Sequence, residues 1–135
     1  MSMAASSVPL PNAIVAGWLE AFNSRKLDEM LARLSVDVDF RPLRLSGMSS
    51  AYRGHDGVRD WFEAMESLGY DCQIANAEIR EMDNGWLLVS GTLTVGVELA
   101  VGPVSEAHLV DGNTIVTARQ YLSDAELIER LGLLR

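Results

Sequence analysis

Apolar positions along the chain recur first at helical and later at strand intervals. Ile14, Val15, Trp18, Leu19 and Phe22 fall on one stripe of a helix. Pro9 and Pro11 precede them, and Asn12 is a good N-cap, so a first helix is predicted from Asn12 to about Asn23. After a short break at Asn23-Ser24-Arg25-Lys26, the positions Leu27, Met30, Leu31 and Leu34 predict a second amphipathic helix. From Val36 the period changes to two. Val38 and Phe40 alternate with Asp37, Asp39 and Arg41, which predicts a strand ending near Pro42. Ser46 to Arg53 reads as a loop. Gly54-His55-Asp56-Gly57 then leads into Val58, Trp61, Phe62, Met65 and Leu68, a third helix capped by Asp56 and closed by Gly69.

The second half reads as strands near Asp71–Met82, Trp86–Val97, Glu98–Val110 and Thr114–Leu122. Asp83-Asn84-Gly85 and Asp111-Gly112-Asn113 are tight-turn signals that favour antiparallel hairpins. Gly102-Pro103 predicts a bend or bulge within the third of these strands. Ser123 or Asp124 is placed to cap a last short helix carrying Leu127, Ile128 and Leu131. Helices first and a strand meander afterwards make a segregated α+β order, not a βαβ alternation. The expected fold is one domain over 1–135 with residues 1–8 as a frayed tail. In it, a cone-shaped, curved mixed or antiparallel sheet packs against three helices from the N-terminal half. Such a sheet leaves a cavity beneath its helices and a convex face for solvent or a second copy.

Composition narrows the function classes. With 135 residues, one domain can bury a sufficient core without disulfides, and Cys72 is the only cysteine. The net charge of −8 repels phosphate backbones and anionic lipids, and the basic residues are scattered, Arg41, Arg44, Arg53 and Arg59 coming nearest to a cluster. Neither nucleic acid nor membrane is therefore an expected partner. No apolar run approaches the ~20 residues of a membrane span, and no leader is evident, so a cytoplasmic location is expected. His55 and Asp56 stand alone as a metal pair, without a further ligand at metal spacing. No phosphate loop or nucleotide fingerprint occurs. The expectation is no metal and no cofactor.

The segment Tyr52-Arg53-Gly54-His55-Asp56-Gly57-Val58-Arg59-Asp60-Trp61-Phe62 resembles the entry to the third helix in the SnoaL-like branch of the nuclear transport factor 2-like superfamily. Ala21-Phe22-Asn23 with Leu27-Asp28, Val110-Asp111-Gly112-Asn113-Thr114-Ile115 and Arg119-Gln120-Tyr121-Leu122-Ser123-Asp124 resemble the same branch. The resemblance runs from about Asn12 to Leu134. It implies a fold more firmly than a function, because this superfold hosts isomerases, hydrolases, dehydratases, cyclases and non-catalytic modules. The base of the ketosteroid isomerase branch corresponds to Arg41, which cannot abstract a proton, its oxyanion tyrosine to Trp18, and its second oxyanion acid to Glu106. That chemistry is not expected. The epoxide hydrolase branch needs an Asp–Arg–Asp set, of which only Arg41 with Glu106 can be offered. The polyketide cyclase branch uses an Asp/His acid–base pair, and Glu106 and His108 stand two apart on one strand, hence on one face.

The candidate catalytic residues are therefore Glu106, His108 and Arg41. Glu106 and His108 form either a proton relay or part of a solvated strand face. Arg41 either binds a ligand oxygen or lies outside: strict alternation puts it opposite Phe40, while the resemblance puts it inside. The candidate pocket comprises Trp18, Phe22, Phe40, Phe62, Met65, Val89, Leu93, Gln120 and Leu122, with Trp61 in the same aromatic wall; each is also ordinary core at its spacing. Gln120, among apolar neighbours, needs a partner. Arg119 and Tyr121 fall on the convex face and suit a homodimer contact. The resemblance implies a binder of a small apolar oxygenated molecule. As an enzyme it would use cofactor-free acid–base chemistry: isomerisation, cyclisation, dehydration or hydrolysis. The alternative is a non-catalytic ligand-binding or dimerisation module.

Overall fold

The computed structural model describes residues 10–43, 47–82, 85–96 and 99–121. Helix α1 spans Pro11–Ser24, α2 spans Leu27–Arg33 and α3 spans Gly54–Leu68. Six strands follow the order β1 (Leu34–Arg41), β2 (Tyr52–Arg53), β3 (Cys72–Glu81), β4 (Leu87–Val95), β5 (Leu99–Asp111) and β6 (Thr114–Tyr121). They form one open mixed sheet in the order β2-β1-β6-β5-β4-β3. Only β1 and β6 run parallel, and every other neighbouring pair is antiparallel. The architecture is the α+β arrangement read from the sequence. The expected Leu122 and the last short helix lie outside the described residues, as does the Asp83-Asn84 part of the first turn.

Helix α1 begins on Leu10, with Pro11 in its first turn, where a missing N–H costs nothing. Asn12 is thus inside the helix and not its cap. The helix ends on Arg25, a non-glycine residue at φ 57° in the left-handed region. Side-chain contacts hold it there: Arg25 donates to the Tyr70 carbonyl (3.3 Å), pairs with Glu66 and lies 5.2 Å over the Phe62 ring. Beside it Asn23 clamps β3 in both directions, donating to the Ile74 carbonyl (2.9 Å) and accepting from the Ile74 N–H (2.8 Å).

The loop expected over Ser46 to Arg53 ends in the two-residue strand β2, which pairs with Phe40 and Asp39. Helix α3 starts directly after it at Gly54. Asp56 consequently sits in the first helical turn, fully exposed and paired with Arg59, and does not cap. Acidic charge there still favours the helix dipole. The glycine motif is explained by close approach. Gly54 has φ 72°, and a Cβ would stand 2.9 Å from the Val36 carbonyl oxygen, while one on Gly57 would press on Tyr52. His55 Nε2 meets the Leu34 carbonyl at 2.9 Å.

Helix α3 lies over β1 and β2, and α1 contacts β3 to β6, so all three helices cover one face. Between the layers Val15, Trp18, Phe22, Val38, Phe40, Val58, Trp61, Ile74, Val89, Leu93 and Ile115 make one buried core. Register shifts interrupt β3 between Ala75 and Glu78 and β4–β5 between Leu93 and Thr94; at the latter, Val101 is the extra residue, beside the Gly102-Pro103 bend read from the sequence. Such bulges bend strands and curve the sheet. On the outer face Leu88 and Ala107 form a smaller cluster with Met82, Trp86 and Tyr121. Among the described residues no helix is long and apolar enough to cross a membrane.

Candidate functional site

Strand β5 turns Glu106 and His108 to the inner face, because residues two apart share a side. Glu106 stands opposite Gln120 of β6 and Val89 of β4; His108 stands opposite Ala118 and Leu87. Both polar groups are sealed in the core, Glu106 at 1% and His108 at 0% exposure. Buried charge of this kind is uncommon unless it is partnered. Here it is: His108 Nε2 lies 2.9 Å from Glu106 Oε1, and Gln120 Nε2 donates to Glu106 Oε2. The Gln120 Oε1 in turn accepts from the Leu43 N–H at 3.0 Å.

An ionised carboxylate only accepts, so His108 carries its proton on Nε2 in that state. In the complementary state the acid donates to the imidazole across the same 2.9 Å. One proton thus has two homes, and the second imidazole nitrogen is left over. Among the described residues Nδ1 of His108 has no hydrogen-bond partner, and neither does the buried Nε1 of Trp18, whose ring centre lies 6.5 Å from that of His108. The pair therefore presents one free acceptor or donor, and Trp18 one free donor, inside an apolar layer.

Aromatic rings fill the space between the helices and this network. Trp18 packs edge-on against Phe40 (5.7 Å), Phe40 against Trp61 (4.8 Å), and Trp61 stacks on Phe22 (6.0 Å). A cavity of about 10 Å³, enough for roughly one water, is lined by Phe22, Pro42, Leu43, Trp61, Met65, Cys72, Leu93 and Gln120. Of the expected pocket residues, Phe22, Met65, Leu93 and Gln120 line it. Trp18, Phe40 and Val89 are buried in the same core without reaching that cavity. Phe62 is half-buried under Arg25 at the edge of this core, edge-on to Trp61 at 6.5 Å, and does not line the cavity. Leu122 lies outside the described residues.

Arg41 does not join the site. Its side chain is 54% exposed and its Nε meets Asp39 Oδ1 at 3.1 Å on the outer face. The simple alternation of β1 prevails, since no bulge at Pro42 reverses it. Arg119 reaches the same Asp39 at 3.6 Å. Three wall residues, Pro42, Leu43 and Cys72, were not read from the sequence as such. Cys72 alternates with Ile74 and could have been found by that pattern; Pro42 and Leu43 follow the end of β1, where the period of two no longer assigns a side, and Leu43 packs against the core. Burial pushes the Cys72 thiol up from 9.0 to about 11, so it is held neutral and is a poor nucleophile near pH 7. Among the described residues no three His, Cys, Asp or Glu side chains gather as a metal site.

An open mixed sheet roofed on one face by helices, with polar side chains buried between the layers, is the nuclear transport factor 2-like architecture. The chain belongs to the SnoaL-like domain family, which matches residues 15–120. Solved structures agree on the fold. A candidate polyketide cyclase from Xanthomonas campestris pv. campestris is 21% identical, with TM-score 0.66 over 89% of this chain and 95% of that one. A nuclear transport factor 2-like protein of unknown function from Burkholderia pseudomallei is 24% identical, with TM-score 0.69 over 87% and 94%. TerC, co-crystallised with polyporic acid, is 16% identical, with TM-score 0.70 over 87% and 95%. No functionally curated protein matches the sequence.

Proposed function

We propose that the chain binds a small, largely apolar molecule carrying one or two oxygens, and that Glu106 and His108 move a proton on it without a cofactor. One observation carries the reading: a carboxylate and an imidazole at 2.9 Å, both sealed in an aromatic core, with His108 Nδ1 unpartnered. A structural role alone would be served as well by apolar residues of similar volume. In this scheme a guest that widens the present cavity inward reaches His108, which the cavity itself does not touch; His108 then exchanges a proton with it through Nδ1 while Glu106 takes up or returns the proton on Nε2. Trp18 Nε1–H, also unpartnered, stabilises negative charge developing on a guest oxygen. The aromatic rings exclude water and strengthen both effects. The candidate polyketide cyclase among the structural neighbours, and the ligand held by TerC, are in keeping with such chemistry.

The second reading is a non-catalytic binding or dimerisation module, and the small size of the cavity bounded by Phe22, Leu43, Trp61 and Gln120 favours it. In both readings we place a second copy on the outer face of the sheet, near Tyr121 and Arg119. Native mass spectrometry of the purified protein reads the subunit number and any retained guest together. A screen of neutral hydroxy- and carbonyl-bearing aromatic compounds by thermal shift then supplies a substrate. Glu106→Gln keeps the side-chain shape, and turnover should fall about 10²–10⁴-fold with guest binding retained. Turnover unchanged in Glu106→Gln would remove the proton-transfer role; binding without any turnover would select the module.

A further inference from the structure

We propose that Gln120 is a positioning residue, carrying the hydrogen bond offered by the Leu43 main chain at the cavity wall through to the Glu106–His108 pair behind it. The proposal deepens the reading above and rests on it only for the use made of the pair; the relay itself needs no substrate.

The direction of the relay follows from what each atom can do. The Leu43 nitrogen can only donate, so the group facing it at 3.0 Å is the Gln120 oxygen. The Gln120 NH₂ is thereby turned to Glu106 Oε2, where a carboxylate needs a donor. Flipping the amide would set N–H against N–H at one end and oxygen against oxygen at the other, so the orientation is fixed from both sides. Pro42 has no N–H, which makes Leu43 the first main-chain donor beyond β1. Both Leu43 and Gln120 line the cavity, whereas Glu106 and His108 do not. Gln120 is thus the side chain shared by the cavity and the pair.

The surroundings of Glu106 leave Gln120 as its principal tuning group. Glu106 is flanked by His108 of its own strand β5, by Gln120 across β6 and by Val89 across β4, while Leu87, Ala118 and Trp18 lie around His108. Of these only His108 is an ionisable side chain. Arg41, Arg119 and Asp39 form their own cluster on the other side of the sheet, and Cys72 of β3 lies on the cavity wall. A donor to the carboxylate favours its charged form. Removing that donor lets the pair hold a proton to higher pH.

The test uses the whole chain and NMR titration of the imidazoles in wild type, Gln120→Met, Leu43→Pro and the double variant. In Gln120→Met the pH of proton uptake by the pair should rise by about 0.5–1 unit. Leu43→Pro should move it in the same direction while leaving Gln120 in place. The double variant should shift no further than Gln120→Met, because Leu43 acts only through Gln120. His55, the other histidine, bonds to the Leu34 carbonyl and serves as an internal reference that stays put. A purely structural Gln120 would lower stability and leave the His108 titration where it was. An unmoved His108, one that titrates only on unfolding in all four proteins, or a Leu43→Pro shift that persists in the Gln120→Met background overturns the relay. If Gln120→Met does not fold, Leu43→Pro alone decides. Failure of the proposed turnover would leave these titrations readable, so the two failures are distinct.

Discussion

Cys72 shows how one buried side chain ties stability to pH. Its thiol titrates near 9.0 when free and is raised to about 11 by burial, the attraction of Arg25 being the smaller effect. Below pH 9 both the folded and the unfolded thiol are protonated, and the stabilisation is fully present. Between pH 9 and 11 the unfolded chain releases its proton first, so folding stability falls as pH rises through that window. Two units correspond to about 2–3 kcal/mol. Urea unfolding at pH 8 and pH 10.5 should show this loss in wild type and not in Cys72→Val; equal losses in both proteins would refute the assignment. At the same scale Arg41 shows which of two readings its strand follows. Resemblance placed it at a catalytic position, yet alternation with Phe40 sends its guanidinium outward to Asp39.

At the scale of elements, the motifs that read most clearly serve backbone fit and not chemistry. Tyr52, Gly54 and Gly57 let β2 and α3 close on β1. Gly91 has a comparable role on β4. The bulge of β3, with Asn76 at φ 56°, folds over it. A Cβ at Gly91 would stand 2.7 Å from Ile74 Cγ2 and 2.9 Å from the Ala75 carbonyl oxygen. The second of these is main chain and cannot swing aside. Gly91→Ala should therefore cost about 1–3 kcal/mol, as overpacking does, measured as a lower denaturation midpoint at unchanged slope. A neutral effect would mean that the β3 bulge is not held as described. The sequence carries only one weak hint of this bulge, Asn76, a residue that tolerates the left-handed region but stands inside an otherwise strand-like run.

For the whole molecule, the relevant quantity is the space between sheet and helices. Phe22 stacks on Trp61 and also borders the small cavity beside Gln120. Phe22→Ala should enlarge that cavity by most of a phenyl ring and cost about 3–5 kcal/mol. If the layers hold their positions, indole should bind the enlarged space and restore part of the lost melting temperature in Phe22→Ala while leaving wild type unaffected. No indole-dependent recovery would mean that the layers collapse onto each other, and an interior able to receive a guest would then be ruled out.

The order of elements, the inward faces of β1 and β4, and the pairing of Glu106 with His108 on one side of β5 follow from the periods of two and 3.6 residues, which are local properties of the chain. Burial of that pair does not. It requires α1, from residues 11–24, to lie across strands that come some eighty residues later. The parallel pairing of β1 with β6 likewise joins distant segments and brings the Leu43 N–H to Gln120. Local spacing says which side of its own strand a residue takes. Only tertiary contact says whether that side meets water or another part of the protein, and hence whether a carboxylate and an imidazole are surface groups or a sealed proton-holding pair.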